Sequence, residues 1–170
     1  MARRHGIGPI RPLILTAAIL AAGCTIEPRT DRPATGTGTG TEAPHKEVVE
    51  VPGVAPSPVY SPAIRSGDFI FLAGAVGSVP GGEFRLAEGG VGPETRQVLE
   101  NLRHVIEAAG GTMDDMVKCT VFLADIEDYA AMNEVYVAFF PSGPPARSAF
   151  ATGGLPFDAR VEIECMAAAR

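Results

Sequence analysis

At 170 residues and 46% hydrophobic composition, the chain has enough material to bury one core of ordinary size, which bounds it to a single globular unit. Its formal net charge of −6 deepens once residues 1–23, with three arginines and no acids, are set aside: 11 Lys and Arg then face 20 Asp and Glu, a net of −9. Such an acidic balance excludes nucleic acid as the main partner, because that affinity rests on basic groups, but leaves room for a small anion in a locally positive cleft.

The first segment reads as an export signal. Arg3, Arg4 and Arg11 precede the uncharged run Leu13–Gly23, far short of the roughly 20 apolar residues that span a bilayer. Leu20-Ala21-Ala22-Gly23-Cys24 resembles a bacterial lipobox, with Cys24 lipidated and becoming the mature N-terminus; ordinary signal cleavage leaving a free cysteine is the alternative. Residues 24–45 follow as a tether, with Pro28, Pro33 and Pro44 around the repeat Thr35-Gly36-Thr37-Gly38-Thr39-Gly40-Thr41, a composition with almost nothing to bury. This organisation predicts a domain over 46–170, extracytoplasmic and held on the periplasmic side of a membrane by its N-terminal lipid.

Within the domain, Glu47–Val51 reads as a short strand ended by Pro52-Gly53, and Ser61–Arg65 turns through Ser66-Gly67-Asp68 into Phe69–Val76 as a hairpin. Val98, Leu102, Val105, Ile106 and Ala109 recur at helical spacing and predict a helix over Pro93–Ala109, stopped by Gly110-Gly111. Val117–Leu123 is the next strand. Asp125 or Asp128 caps a second helix, whose stripe includes Tyr129, Met132, Tyr136 and Phe139 and which Pro141 ends. Strands over Arg147–Thr152 and Arg160–Ala167 complete the order β-β-β-α-β-α-β-β. The fold class is α+β, a mostly antiparallel sheet with two helices on one face.

Phe69–Val76 is apolar in both parities, although a sheet with water on one side should alternate. The economical cover for the second face is another copy of the chain, with an irregular loop as the alternative. Cys119 and Cys165 each fall in a predicted strand; their spacing matches no disulfide framework or metal motif, so they read as buried, reduced thiols. His5, His45 and His104 form no ligand cluster, and no metal is inferred.

Two charged residues stand out in apolar strands. An ion in such a strand costs several kcal/mol unless something pairs with it, about 2–7 for a polar group and more for a charge, so Arg147 and Glu162 are candidate functional groups. The Arg147 fork suits bidentate binding of a carboxylate, and Glu162 suits proton abstraction from water. A salt bridge between the two is the structural alternative.

From about Glu47 onward the sequence resembles the reactive intermediate deaminase (RidA, YjgF-like) family. The stretches that carry the resemblance are Val59-Tyr60-Ser61-Pro62-Ala63, Thr95-Arg96-Gln97-Val98-Leu99-Glu100-Asn101-Leu102, Val117-Lys118-Cys119-Thr120-Val121-Phe122-Leu123, Met132-Asn133-Glu134-Val135-Tyr136, Pro145-Ala146-Arg147-Ser148 and Val161-Glu162-Ile163-Glu164. The resemblance implies a chorismate-mutase-like fold assembled as a homotrimer, with clefts between subunits that bind small carboxylic acids. It also implies hydrolysis of reactive 2-imino acids or their enamine tautomers to 2-oxo acids and ammonia, without metal or organic cofactor.

On that resemblance Arg147 holds the substrate carboxylate and Glu162 positions and activates the attacking water, while Tyr60, Ala73, Gly74, Asn133 and Ala149 line the cleft. Tyr60 packing at a subunit edge and Asn133 capping a turn are the plainer alternatives. Gly74 is expected to allow close backbone approach. The chain departs from the family at Ala73, where many members have serine, and at Ala75, where many have glutamine. One missing hydrogen bond to an anion weakens binding by about 1.5–3 kcal/mol. A non-catalytic lipoprotein that binds a small carboxylate is therefore the competing function, and the lack of a histidine pair or basic stripe tells against a ribonuclease.

Overall fold

The computed structural model describes residues 45–169. The proposed signal, Cys24 and all but the last residue of the proposed tether lie outside the described residues. Among the described residues no helix is long and apolar enough to cross a membrane.

Six strands form one sheet: β1 (Lys46–Val49), β2 (Ala63–Ser66), β3 (Phe69–Val76), β4 (Met116–Leu123), β5 (Ala146–Ala151) and β6 (Val161–Ala168). Two helices, α1 (Val91–Ala108) and α2 (Tyr129–Tyr136), interrupt them in the expected order. The spatial order is β1-β2-β3-β6-β4-β5. Every pairing is antiparallel except β4 with β5, which is parallel, as the crossover through α2 requires.

Alternation along β6 shows how the sheet is layered. Val161, Ile163, Cys165 and Ala167 are buried, while Glu162, Glu164, Met166 and Ala168 are not. The buried parity faces both helices, where Val98, Leu99, Leu102 and Ile106 of α1 and Met132 and Tyr136 of α2 close the core. The α1 stripe is the one its 3.6-residue period predicted. The stripe of α2 holds at Met132, Tyr136 and Phe139, but Tyr129 is exposed. Asp125 accepts from the Glu127 N–H at 3.0 Å and caps the 3₁₀ turn Ile126–Asp128 that leads into α2.

The opposite face of the sheet carries Phe69, Phe71 and Phe150, each 41–46% exposed. Among the described residues no loop covers these rings.

One expectation is corrected. Cys119 and Cys165 are joined as a disulfide rather than held as thiols. The sequence separation of 46 hides the reason, which is topological. The last strand inserts between β3 and β4, and the register sets Cys119 directly opposite Cys165, with Cα atoms 4.1 Å apart. Residues directly opposite in an antiparallel pair have Cα atoms about 4.5–5.5 Å apart or somewhat closer, near enough for two cysteine side chains on one face to meet.

Polar anchors fix the strand ends nearest the helices. The buried Glu94 of α1 accepts the Arg160 N–H at 2.8 Å just before β6 begins. The Arg160 side chain reaches Asp128 at 2.7 Å. Asn101 donates through Nδ2 to the carbonyls of Val76 at 3.1 Å and Ser78 at 2.9 Å, pinning the end of β3. Gly77 passes so near α1 that a Cβ there would stand 2.9 Å from the Glu94 backbone.

Candidate active site

Glu162 lies on the face of the sheet away from the helices, beside an irregularity in β3. Pairing of β3 with β6 shifts register between Leu72 and Ala75, so Ala73 and Gly74 bulge opposite Glu164, beside the Val76–Glu162 pair. Bulges of this kind re-aim side chains and recur beside active sites. The Glu162 carboxylate fills the space a side chain at position 74 would take: a Cβ there would meet Oε1 head-on and stand 3.1 Å from Cδ. The expected close approach at Gly74 is thus real, and its partner is the carboxylate itself.

Tyr60, Ala73, Gly74 and Glu162 line one cleft of about 950 Å³, with Phe84, Asn101, His104 and Phe157 among its other walls. Partial burial raises the Glu162 pKa above its ordinary 4.5, and the neighbouring Glu164 charge adds to the rise. A carboxylate made more basic in this way is a better proton acceptor.

Arg147 lies elsewhere. Register places it opposite Cys119, which in turn faces Cys165. Residues paired across strands share a face, so Arg147 belongs to the side covered by helices. Glu162 pairs with Phe122, and Phe122 with Phe150, on the other side. Within one chain the two candidate catalytic groups point away from each other across the sheet, and the salt bridge between them is not formed; among the described residues Glu162 has no ion-pair partner.

The guanidinium of Arg147 is half-buried on α2. It sits 4.6 Å from the Tyr136 ring centroid and 5.6 Å from that of Tyr129, and donates to Tyr129 Oη at 3.2 Å. Tyr136 is itself buried with its pKa raised to about 12, desolvation outweighing the Arg147 charge that lowers it. The two rings hold the planar fork by cation–π attraction, and among the described residues Arg147 makes no ion pair with an acid. Ala149 shares the parity of Arg147 on β5 and packs against the core. Asn133 is half-buried on α2 next to Met132.

The predicted residues therefore fall into two groups. Tyr60, Ala73, Gly74 and Glu162 come together in the cleft, while Arg147, Ala149 and Asn133 belong to the β5–α2 side. Tyr129 was legible only as part of a helical stripe, yet its exposed hydroxyl orients Arg147. Phe84 and Phe157 gave no signal, since both fall in Gly- and Pro-rich loops without periodicity.

Comparison with known proteins agrees with this architecture. A RutC family protein of Pyrococcus horikoshii is 45% identical over 116 residues, covering 66% of this chain and 90% of that protein. The human 2-iminobutanoate/2-iminopropanoate deaminase is 40% identical over 108 residues, 64% of this chain and 78% of the human protein. Among solved structures, the YjgF gene product from E. coli matches with a TM-score of 0.67 at 31% identity, covering 73% of this chain and 99% of that one. RidA from an Antarctic Psychrobacter matches with a TM-score of 0.66 at 35% identity, covering 72% and 98%. Residues 50–169 match the family model described as Endoribonuclease L-PSP, and the chain belongs to that family.

Proposed function

We propose that the domain hydrolyses reactive 2-imino acids, or their enamine tautomers, to 2-oxo acids and ammonia in a cleft shared between copies of the chain in a homotrimer. The observation that carries this reading is the opposition of Arg147 and Glu162 across the sheet. Each is an isolated charge poised for half of one reaction, and a neighbouring copy is the simplest means of bringing the halves together. The exposed rings Phe69, Phe71 and Phe150 supply an apolar surface for that association. Relatives named as 2-iminobutanoate/2-iminopropanoate deaminases support the chemistry.

In this mechanism the Arg147 fork of one copy binds the substrate carboxylate and fixes the adjacent imine carbon, an orientational contribution. Glu162 of the next copy takes a proton from water as its oxygen attacks that carbon, giving a carbinolamine. Glu162 returns that proton to the nitrogen to complete the carbinolamine, then takes the hydroxyl proton and passes it to the amino group, so that the C–N bond breaks and ammonia leaves as the carbonyl forms. The reading also holds that the domain is exported and tethered through a lipid on Cys24. Its buried disulfide supports an oxidising compartment, and mass spectrometry of the mature N-terminus tests the lipid.

Complementation tests the shared site. Arg147→Ala and Glu162→Gln are each expected to be inactive on 2-iminobutanoate generated in situ. Unfolded together in equal amounts and refolded, they should regain about a quarter of the sites, each site drawing Arg147 from one copy and Glu162 from the next. Mixtures that stay inactive while wild type survives the same refolding would refute the shared cleft. Ligand-induced stabilisation without turnover, abolished only by Arg147→Ala, would make the domain a small-carboxylate binder instead.

A further inference from the structure

The cleft around Glu162 measures about 950 Å³ in a single copy, within the roughly 300–1,000 Å³ of small-molecule sites. One of its walls is aromatic. Phe84 and Phe157 meet with ring centroids 4.2 Å apart, tilted by 41°, and yet remain 54% and 67% exposed. Neither ring belongs to the core.

The backbone beneath this pair is strained. Phe157 has φ 60° and Asp158 φ 58°, two successive non-glycine residues in the left-handed region, where a bulky side chain is rarely found. They are the only non-glycine residues with positive φ among the described residues. A phenylalanine that is exposed and strained contributes little to stability by burial or by conformation, and strain of this kind clusters where ligands are gripped. Phe157 also lies five positions before Glu162, so the entry to β6 carries the ring and the carboxylate into the same cleft.

On the deaminase reading above, we propose that Phe84 and Phe157 form a subsite for the substrate side chain, and that the preferred substrates are 2-imino acids bearing an aromatic side chain. With the reacting carbon at Glu162, the side chain extends toward the two rings. A third ring stacks there edge-to-face or offset, the arrangements that aromatic groups favour.

The test is a ratio. 2-Imino-3-phenylpropanoate and 2-iminobutanoate are generated in situ with an amino-acid oxidase, and kcat/KM is compared for wild type, Phe84→Ala and Phe157→Gly. Wild type should prefer the phenyl substrate about tenfold or more, and either substitution should cut that ratio about tenfold. Phe157→Gly should do so without lowering the melting temperature, because glycine accepts this φ freely. A wild-type ratio near one, or a ratio that neither variant moves, would overturn the subsite. Calorimetric binding of phenylpyruvate and 2-oxobutanoate gives an independent reading of the same preference. If neither imino acid is hydrolysed, the deaminase reading fails, and the binding ratio alone decides for or against the subsite.

Discussion

Gly74→Ala isolates the placement of Glu162 from the stability of the fold. Position 74 does not have a positive φ, so alanine meets no backbone obstacle there and lowers the entropy of the unfolded chain, a gain of about 0.4–1 kcal/mol. The single obstruction is the Glu162 carboxylate, whose Cδ and Cγ would stand 3.1 Å and 3.4 Å from the new methyl, with Oε1 nearer still. Restoring ordinary carbon–oxygen contact displaces Oε1 by about 1 Å. Because the carboxylate is the free end of a flexible side chain, that retreat costs little stability. A misplacement of this size in a reacting group costs about 10²-fold in rate. The expected result is a kcat about 10²-fold below wild type on an in situ 2-imino acid, with a melting temperature unchanged or slightly raised. Since Gly74 acts through Glu162, adding Glu162→Gln should cost little more than Glu162→Gln alone. A Gly74→Ala protein that keeps near-wild-type kcat, or that loses activity only in step with its fold, would refute the assignment.

The remaining predictions concern charge and covalent structure. The raised Glu162 pKa means that ionised Glu162 destabilises the native state: the cost is absent below 4.5 and complete once pH exceeds the folded value. Glu162→Gln should therefore raise the melting temperature at pH 7 and leave it nearly unmoved at pH 3.5, as a thermal shift series would read. In the active enzyme kcat/KM should climb with pH through a midpoint above 4.5, and an ascending limb centred below that value would count against Glu162 as the base. Arg147→Lys keeps the charge but loses the fork seated on Tyr136 and Tyr129, so kcat/KM should fall about 10- to 100-fold, mainly through KM; an unchanged KM would argue against carboxylate binding there. Replacing both Cys119 and Cys165 by alanine frees a 46-residue separation and should cost about 4 kcal/mol on the chain-entropy model, read as a lower urea midpoint. Identical midpoints for wild type with and without reductant present during unfolding would contradict the bond.

Much of the fold was legible because local patterns and tertiary packing agree. The period of α1, the hairpin at Ser66-Gly67-Asp68 and the alternation of β6 each signal one element and one buried face. What escaped was set by order in space rather than order along the chain. Nothing local shows that β6 enters between β3 and β4, so the meeting of Cys119 with Cys165 could not be read from their spacing. For the same reason a salt bridge between Arg147 and Glu162 within one chain stayed open as an alternative. Their motifs are close in sequence and complementary in charge, but β4 separates their strands, and their registers give them opposite faces. Gly74 was legible as a point of close approach because a glycine inside an apolar strand has few other reasons to be there. The rings of Phe84 and Phe157 were not, since aromatic residues in irregular loops carry no periodicity to betray what they line.

On the shared-cleft reading proposed above, the placement of Arg147 and Glu162 on opposite sides of one thin layer would leave a newly made polypeptide latent. A lone copy would carry both tools without bringing them to bear on one molecule, so catalytic output would depend on encounters among equals and fall more steeply than protein concentration on dilution. Confinement of such a chain to a two-dimensional surface would offset that loss by crowding copies together, turning where the protein gathers into a control on whether it works at all.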